Sequence, residues 1–442
     1  MVLSVADAVR QVLEHAHSMP SETIALSEGL GRILATDLTT PHDSPPFDKA
    51  LMDGFSVKAP APSVEGVETK TGQTSASSAT TNVGQTLASS ATEEVTLRVL
   101  ETITAGRLPT MKLESHTASR IMTGAMLPDG CNCVVPVEQS RFDETTMSVA
   151  LPCAALKPEA HLMRRGTAAT AGSTLLQNGV RLQPQHIAAL AEFGFASVPA
   201  VRRPRVAILA TGDELVNADQ PLEAGKIRNS NEPMLVAQVL TAGAVPVALG
   251  IARDDETQLC QSIQEGLRHD VLLLTGGVSA GILDLVPLQL LANGVHNVFH
   301  GVHMKPGRPL WFGYRDVAAT GEQHRCLVFG LPGNPVSSLA CFELFVRPAL
   351  RTLSGQQPAV PMQAKLTRDF TVKGNRPVYQ PVKIRLEKGD LCAEPVAWSA
   401  SSDLKATVDA NGMALFLPEV HAYAAGQTVD IWIWGHSALI EP

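Results

Sequence analysis

Aromatic residues are scarce in this 442-residue chain, which has only three Tyr and four Trp. Proteins that bind single-stranded nucleic acid stack the bases on such rings, so this scarcity argues against that class. Basic residues are not in excess either, because 35 Lys and Arg stand against 43 Asp and Glu, for a net charge of −8. The chain therefore has no general attraction to nucleic acid or to an anionic membrane, and local basic groups must bind any anionic ligand.

Long apolar runs and paired cysteines are also missing. No apolar run is long enough to span a bilayer, and residues 1–19 have the pattern of an amphipathic helix capped by Ser4 rather than that of a signal peptide. The seven cysteines are an odd number and are scattered along the chain, which favours reduced thiols over a disulfide framework. We therefore predict a cytoplasmic protein without a membrane partner.

The composition and the residue patterns predict a folded multidomain protein. Apolar residues make up 45% and charged residues 18% of the chain, and the length predicts about three domains. Residues 1–47 and 149–200 have helical patterning and form a predicted discontinuous helical domain. Residues 48–148 contain alternating runs typical of a β-rich lobe, in which residues 62–92 are rich in Ser, Thr, Ala and Gly and predict a disordered insertion. Residues 354–442 predict a C-terminal β domain.

Residues 201–353 have a different pattern, in which apolar runs alternate with helical segments. The apolar runs are the strand candidates 206–210, 245–249, 271–274 and 326–329, and the helical segments lie near 231–242, 256–268, 284–293 and 335–346. Continuous apolar strands that alternate with helices are typical of a mostly parallel sheet covered on both faces. We therefore predict a central three-layer α/β domain, which makes the fold class multidomain α/β plus β.

Small and polar residues follow each strand candidate, where ligands bind in open parallel sheets. The four loops are TGDE (211–214), RDD (253–255), TGGVSAG (275–281) and LPGNPVSS (331–338). Glycine allows a ligand to approach the backbone closely, and exposed N–H groups bind phosphate. Carboxylates beside a phosphate site predict a bridging Mg²⁺, and they recur here as Asp213, Glu214, Asp254, Asp255 and Asp284.

Each of these residues also has a structural explanation. Turns need glycine, and Asp255 and Asp284 are suited to cap the helices that follow them. Four such loops on successive strands favour a ligand site over four unrelated turns. The segment KPGRP (305–309) adds fixed positive charge for an oxyanion.

Seven stretches of the chain together resemble the molybdopterin molybdenumtransferases, the family that includes the C-terminal domain of gephyrin. They occur in the family's order and cover most of the chain outside residues 62–92: PPFDKALMDGFSV (45–57), SRIMTGAMLPDGCNCVVPVEQ (119–139), RPRVAILATGDELV (203–216), KIRNSNEPML (226–235), TGGVSAG (275–281), MKPGRPLWFG (304–313) and LPGNPVSSLACFELFVRPAL (331–350). The resemblance implies molybdenum cofactor biosynthesis, in which adenylylated molybdopterin is bound, molybdate is inserted at its dithiolene sulfurs, and AMP is released. It also implies a homodimer whose cleft lies between the α/β domain of one subunit and lobes of the other.

The resemblance also implies roles for individual residues. Glu214, Asp254 and Asp284 are the expected Mg²⁺ ligands or water-orienting groups, and Asp48 and Asp53 match an acidic pair that we expect to be catalytic. Lys305 and Arg308 match the family's Lys-Pro-Gly-Lys/Arg-Pro element and are the first candidates to hold molybdate, a small dianion. The other expected substrate contacts are Thr211, Gly212, Asp213, Asn231, Gly276, Gly277, Ser279, Pro332, Gly333, Asn334, Pro335 and Ser337, with Arg376 and Ser401 from the C-terminal domain.

Two family carboxylates are replaced in this chain. Ile282 stands where family members commonly have Asp, and so does Ala168. These losses give weight to an alternative, a noncatalytic scaffold of the same fold that binds the pterin or a partner. A molybdopterin adenylyltransferase is a weaker alternative, because that activity is associated with a Thr-Gly-Gly-Thr-Gly loop and residues 275–279 read TGGVS.

Overall fold

The structure is a computed structural model that describes residues 2–61, 93–253, 255–278, 285–319 and 322–434. The predicted insertion at 62–92 lies outside these residues. Two compact units are present, Asp37–Leu176 and the combination of Met1–Thr36 with Gln177–Pro442. Among the helices in the described ranges, none is long and apolar enough to cross a membrane.

The α-helices of the described residues all belong to the larger unit. They are α1 (Val5–His15), α2 (Pro184–Glu192), α3 (Asn231–Thr241), α4 (Glu256–Gly266), α5 (Leu285–Ala292), α6 (Pro335–Cys341) and α7 (Arg347–Leu353). The α1 helix begins where predicted, because the Ser4 hydroxyl accepts a hydrogen bond from the Asp7 N–H at 3.1 Å. Ala8 and Val12 on its buried face then pack into the main apolar core.

A six-stranded sheet is the centre of the larger unit. Its strands are β1 (Arg205–Thr211), β2 (Val245–Ala252), β3 (Val271–Thr275), β4 (His296–His300), β5 (Trp311–Ala319) and β6 (Glu322–Leu331). The strand order is β2-β1-β3-β6-β5-β4. The strands β2, β1, β3 and β6 are parallel to one another, and β5 pairs antiparallel with both of its neighbours, β6 and β4. Buried residues of alternate strand positions belong to separate apolar clusters, so both faces of the sheet are covered. The predicted three-layer, mostly parallel α/β domain is thus confirmed.

The helical pattern of residues 1–47 holds only for α1. Ser21–Ala25 is instead a strand that pairs with Ser197–Val201, and Leu38–Thr39 pairs with Thr174–Leu176. The segment 149–200 likewise contains strands in addition to α2. Short strands such as these obtain their hydrogen-bond partners from residues more than a hundred positions away, so local periodicity does not reveal them.

The unit Asp37–Leu176 is built on a second six-stranded sheet. In spatial order its strands are Cys133–Pro136, Gly54–Val57, Thr117–Ile121, Glu94–Ile103, Ser148–Pro152 and Arg141–Asp143. A two-stranded pair, Lys49–Ala50 with Leu162–Met163, adjoins it in sequence. Phe55, Val135 and Leu151 are fully buried in its core, which confirms the predicted β-rich character of this region.

The C-terminal region is a closed five-stranded barrel, a more specific architecture than the predicted β domain. In order around the barrel the strands are Met362–Leu366, Asp390–Pro395, Val378–Glu387, Gly412–Phe416 and Thr428–Ile433. A short pair, Phe370–Thr371 with Ala422–Tyr423, lies beside it. Closure leaves no free sheet edge, and the barrel is filled by apolar residues such as Val382, Phe416 and Ile431.

Candidate functional site

A cleft of about 380 Å³ lies at the carboxyl ends of β1, β3 and β6. Its lining residues come from the ends of these strands and the loops that follow them, from the start of α3 and, for Pro309, from the segment before β5: Thr211, Glu214, Leu215, Ile227, Asn231, Thr275, Gly276, Gly277, Val278, Pro309, Pro332, Gly333 and Asn334. Eight of them are substrate-binding or catalytic candidates from the sequence. The parallel strands bring these loops together because all three end at the same edge of the sheet.

Asn231 connects three walls of the cleft. Its Nδ2 donates hydrogen bonds to the Thr275 Oγ1 at 2.7 Å and to the Gly333 carbonyl at 2.8 Å. The Oδ1 of the same side chain is buried and has no hydrogen-bond partner among the described residues. Asn231 thus fixes the ends of β3 and β6 relative to α3.

The glycine loop after β3 needs glycine for two reasons. Gly276 has φ +95°, a left-handed conformation that side chains disfavour, and a Cβ there would lie 2.5 Å from the Thr211 carbonyl oxygen. The loop after β3 therefore lies directly against the end of β1. This close approach leaves backbone rather than side chains to form the floor of the cleft.

The loop after β1 presents a carboxylate to the cleft. Glu214 is exposed, and its carboxylate lies over Gly212, which has φ +138° and leaves room for it. Asp213 does not line the cleft, although its backbone carbonyl accepts hydrogen bonds from the Lys226 Nζ at 2.7 Å and from Arg253 at 3.0 Å. The loop is therefore held through the backbone of Asp213, and Glu214 faces the ligand space.

Lys305 lies in a neighbouring cavity of about 370 Å³ rather than in the cleft itself. Arg368 and Lys373 line the same cavity, and the Lys305 ammonium is 5.7 Å from the centre of the Trp398 ring. Arg308 is exposed beside the cleft residue Pro309. Lys305 and Arg308, the two cations predicted to bind an oxyanion, therefore lie on one segment between the cleft and this neighbouring cavity.

The C-terminal barrel reaches both spaces. Arg376 donates a hydrogen bond to the Met304 carbonyl at 3.1 Å, and the Lys305 N–H donates one to the Pro377 carbonyl at 2.8 Å. The Ser401 Oγ accepts a hydrogen bond from the Asn334 Nδ2 at 2.9 Å. Both candidates from the C-terminal domain are therefore beside the predicted site.

Some of the predicted site residues do not line the cleft, and others are not among the residues that the structure describes. Ser337 is buried in α6 and does not line the cleft, and Pro335 is the first residue of that helix. Asp254, Ser279 and Asp284 lie outside the described residues. The cap suggested for Asp255 is confirmed, because its carboxylate accepts a hydrogen bond from the Gln258 N–H at 2.8 Å.

Asp48 and Asp53 belong to the other unit, where both carboxylates have structural partners. Asp48 accepts hydrogen bonds from the Arg164 side chain at 2.5 Å and from the Arg165 N–H at 2.8 Å. Burial alone would raise the pKa of Asp48, but these hydrogen bonds lower it below its usual value. Asp53 accepts two hydrogen bonds from Thr123, first from the hydroxyl and then from the N–H, and they lower its pKa.

Sequence reasoning missed five residues of the cleft. Thr275 and Val278 belong to the segment that was already chosen for its glycines, and Pro309 follows Arg308. Leu215 and Ile227 lie on two short parallel strands, Leu215–Val216 and Ile227–Arg228. Thr275 ends β3 as Thr211 ends β1, so the position of a hydroxyl at a strand end was a usable signal.

The described residues could supply only part of the ligand shell of a magnesium ion. They contain no group of three or more His, Cys, Asp or Glu side chains that would form a metal site alone. Glu214 is the one predicted ligand that the description includes, and it faces the cleft. Magnesium in phosphate sites commonly uses one or two carboxylates, with water and substrate phosphate completing the shell, so this arrangement is compatible with it.

Comparison with known proteins gives matches along nearly the whole chain. The chain matches three protein families one after another: the MoeA N-terminal region (domain I and II) at residues 3–194, a probable molybdopterin binding domain at 207–352 and the MoeA C-terminal region (domain IV) at 363–434. Among solved structures, a molybdopterin biosynthesis MoeA protein from Pyrococcus horikosii is 28% identical with a TM-score of 0.77, covering 99% of this chain and 100% of that one. A second, from Pyrococcus horikoshii OT3, is 27% identical with a TM-score of 0.73, covering 98% and 100%.

Curated relatives agree with these matches. The molybdopterin molybdenumtransferase of Bacillus subtilis (strain 168) is 34% identical over 433 residues, which are 97% of this chain and 93% of the relative. The enzyme of the same name from Staphylococcus aureus (strain MSSA476) is 31% identical over 432 residues, 97% and 95% of the two chains. This chain therefore belongs to the molybdopterin molybdenumtransferase family.

Proposed function

We propose that this chain inserts molybdate into adenylylated molybdopterin and releases AMP. The observation that carries the proposal is the cleft at the ends of β1, β3 and β6, whose floor is glycine backbone and whose wall carries Glu214. An adenylylated pterin contains an anionic pyrophosphate, and backbone N–H groups at glycine turns bind such groups without a net charge of their own. The overall charge of −8 makes this local binding necessary.

Asn231 and the loop glycines position the pyrophosphate. The two hydrogen bonds of the Asn231 amide hold the Gly333 and Thr275 segments in place before the substrate arrives. Backbone N–H groups of loops that are held in place in this way stabilise charge without reorganising during the reaction.

Molybdate binds near the Lys305 segment. Lys305 and Arg308 supply positive charge, and Arg376 is hydrogen-bonded to the adjacent Met304 carbonyl. A guanidinium and an ammonium together recognise a small dianion by charge and by hydrogen bonds. The barrel contact between Ser401 and Asn334 connects this region to the cleft.

Glu214, with Asp254 and Asp284 as expected from the sequence, would hold Mg²⁺. When bound, Mg²⁺ neutralises the charge that develops on phosphate oxygens as the bond between AMP and the pterin phosphate breaks. Glu214 suits this role because its carboxylate is exposed, lies in the cleft wall and is kept over Gly212.

We also propose the domain boundaries 1–47 with 149–200, 48–148, 201–353 and 354–442. The family matches that end at 194 and begin at 207 and 363 support the later boundaries. The compact unit Asp37–Leu176 is wider than the region 48–148, because the strand pair of Leu38–Thr39 with Thr174–Leu176 belongs to it.

We further propose that the protein is a cytoplasmic homodimer. The seven cysteines are all free, which suits a reducing compartment. The dimer is expected from the family resemblance, and light scattering of the purified protein across a dilution series tests it. A particle of 46.9 kDa at all concentrations would contradict the dimer.

The test of the proposed activity follows AMP release from adenylylated molybdopterin with Mg²⁺, with and without molybdate. We expect release to depend on molybdate and to fall at least about tenfold in Glu214→Gln, since one ligand charge is lost. Glu265→Gln is the matched control, because it removes an exposed carboxylate from α4 that pairs with Arg268 outside the cleft. Substrate binding without molybdate-dependent release would refute the transferase and favour the scaffold.

A further inference from the structure

A third cavity, of about 200 Å³, is lined by an unusual concentration of arginine. Six arginines line this arginine cavity, and its lining contains no acidic residue: Arg32, Arg181, Arg202, Arg203, Arg347 and Arg351. It shares no lining residue with the cleft that we assign to the pterin. Six like charges in so small a space repel one another strongly unless anions compensate them.

Three of the six charges are compensated by carboxylates of the protein. Each pair is within hydrogen-bond distance: Arg32 with Glu22 at 2.5 Å, Arg202 with Asp270 at 2.8 Å and Arg347 with Glu343 at 2.5 Å. Asp270 and Glu343 are themselves buried, so these two pairs belong to the folded core. They account for half of the positive charge around the arginine cavity.

The other three arginines have no carboxylate within ion-pair distance among the described residues. The Arg351 Nε donates only to the Gln357 carbonyl, at 2.9 Å. In the described part of the chain, no protein group accepts a hydrogen bond from the guanidinium of Arg181 or Arg203. Burial lowers the pKa of Arg351, and the neighbouring charges of Arg181 and Arg347 lower it further. Burial and the charge of Arg32 likewise lower the pKa of Arg203. Positive charge therefore remains in excess.

Arg32 provides a second, independent sign of a missing ligand. The residue is only 6% exposed, and its guanidinium donates to Glu22 and to the Val201 carbonyl. Its Nε is nevertheless buried without any hydrogen-bond partner among the described residues. A buried charged donor without an acceptor is costly, so Arg32 leaves incompletely satisfied positive charge in the wall of the arginine cavity.

The arrangement of donors indicates the class of ligand. Arg347 and Arg351 are four residues apart on α7 and so lie on the same side of the helix, while Arg181 and Arg203 come from other segments. Thr241 and Ser354 add neutral hydroxyl groups to the lining. Guanidinium groups that converge from several directions suit an anion with oxygens on all sides.

We propose that the arginine cavity binds a tetrahedral oxyanion, either a free inorganic dianion or the phosphate group of a small molecule, at a site separate from the cleft. The small volume suits an ion or a single phosphate group rather than a large ligand. The proposal does not rest on the transferase activity, since it uses residues that the cleft does not contain.

Calorimetric titration of the full chain tests the proposal with phosphate, sulfate, molybdate and AMP, at an ionic strength held constant with sodium chloride. We expect phosphate or sulfate to bind above the chloride background, with one bound ion per chain that depends on the arginine cavity. The double variant R203Q/R351Q should bind about tenfold or more weakly, because two charge-assisted hydrogen bonds are lost. The matched control R10Q/R268Q removes two exposed arginines of the same unit and should keep the affinity.

Two further measurements locate the site and separate binding from folding. Asn231→Ala alters the cleft, so it should leave phosphate affinity unchanged if the ion is in the arginine cavity. Without phosphate, R203Q/R351Q should melt no lower than the unmodified protein, because repulsion is relieved, and it should lose the stabilisation that phosphate adds. AMP binding that is tighter than phosphate binding and that R203Q/R351Q weakens would assign the arginine cavity to a phosphate ester, and AMP binding that the double variant leaves unchanged would assign the cavity to a free ion.

Three results would overturn the proposal. These are dianion binding no stronger than that of chloride, binding that Asn231→Ala abolishes, and full affinity in R203Q/R351Q. A double variant that is destabilised equally with and without phosphate would show that the arginines have a structural role only.

Discussion

The substitution Gly276→Ala tests directly whether the close approach of two loops builds the cleft. The new Cβ would lie 2.5 Å from the Thr211 carbonyl oxygen and 3.1 Å from the Thr211 Oγ1. The first of these is a backbone atom at the end of a buried central strand, so it cannot move aside as a flexible side chain would. Gly276 also has φ +95°, where an alanine is strained even without a neighbour.

The two effects have separate magnitudes. The left-handed backbone costs about 1–2 kcal/mol for an alanine, and an extra carbon in a packed space costs about 1–3 kcal/mol. We therefore expect Gly276→Ala to destabilise the α/β domain by about 2–5 kcal/mol, the sum of the two ranges. Relief by a movement of the loop would instead displace the Gly277 and Val278 walls of the cleft.

Gly294→Ala is the matched control for this prediction. Gly294 has a similar positive φ of +77°, but a Cβ there meets nothing within 4 Å, so only the backbone cost applies. Thermal unfolding of both variants, followed by calorimetry, should show a midpoint decrease for Gly276→Ala at least about twice that for Gly294→Ala. AMP release should be lost in the first variant and kept in the second.

Equal midpoints for the two variants, together with normal AMP release by Gly276→Ala, would refute the reasoning. That outcome would mean that the loop has space the structure does not contain. A loss of AMP release in both variants would instead mean that activity depends on global stability rather than on the geometry of the cleft.

Three further predictions concern the rest of the molecule. The pKa of the Asp48 carboxyl is lower in the folded protein than its unfolded value, near 3.8. The carboxylate therefore stabilises its unit above pH 3.8, and this stabilisation is lost as the pH falls through the folded pKa. Asp48→Asn should flatten the dependence of the melting temperature on pH in that range. Glu343→Gln should destabilise the larger unit by about 3 kcal/mol in urea unfolding, because it leaves the half-buried Arg347 without its charge partner. A double-mutant cycle of Asn334→Ala and Ser401→Ala should give a coupling of about 1 kcal/mol from their hydrogen bond.

Each of these predictions has a control and a contradicting result. Gln139→Ala, an exposed substitution in the same unit that removes no titrating group, should keep the acid slope of the melting profile, and an unchanged slope in Asp48→Asn would contradict the first. Glu265→Gln breaks only an exposed ion pair, so a cost equal to that of Glu343→Gln would contradict the second. Additive effects of the Asn334 and Ser401 substitutions would show that their contact contributes nothing.

The sequence alone determined the type of the central domain. The β1 and β3 strands are continuous apolar runs, and a strand buried on both faces needs apolar side chains at every position. The β5 strand was not predicted, because its segment contains Gly313, Arg315 and Asp316 in place of a clean alternation. The pairing of Ser21–Ala25 with Ser197–Val201 was also missed, since its hydrogen bonds join distant parts of the chain.

The sequence also predicted part of the candidate site, and the tertiary structure decided the rest. Glycines and polar residues at the ends of β1, β3 and β6 were predicted because parallel strands end at one edge whatever else the chain does. Only the tertiary structure decided that Asn231 holds two of these loops together, that Ser337 is buried, and that Asp48 is an ion-pair partner of Arg164.

The arginine cavity was invisible in the sequence. Arg32, Arg181 and Arg351 are widely separated along the chain and lie outside the seven recognised stretches, and Arg203 begins one of those stretches without a predicted role. A strand end is a local feature that residue order encodes, whereas a cavity needs segments that meet only after folding. For this protein, residue order determined the family, the α/β domain and most of the cleft, and the folded structure decided which charges meet and which of them lack a partner.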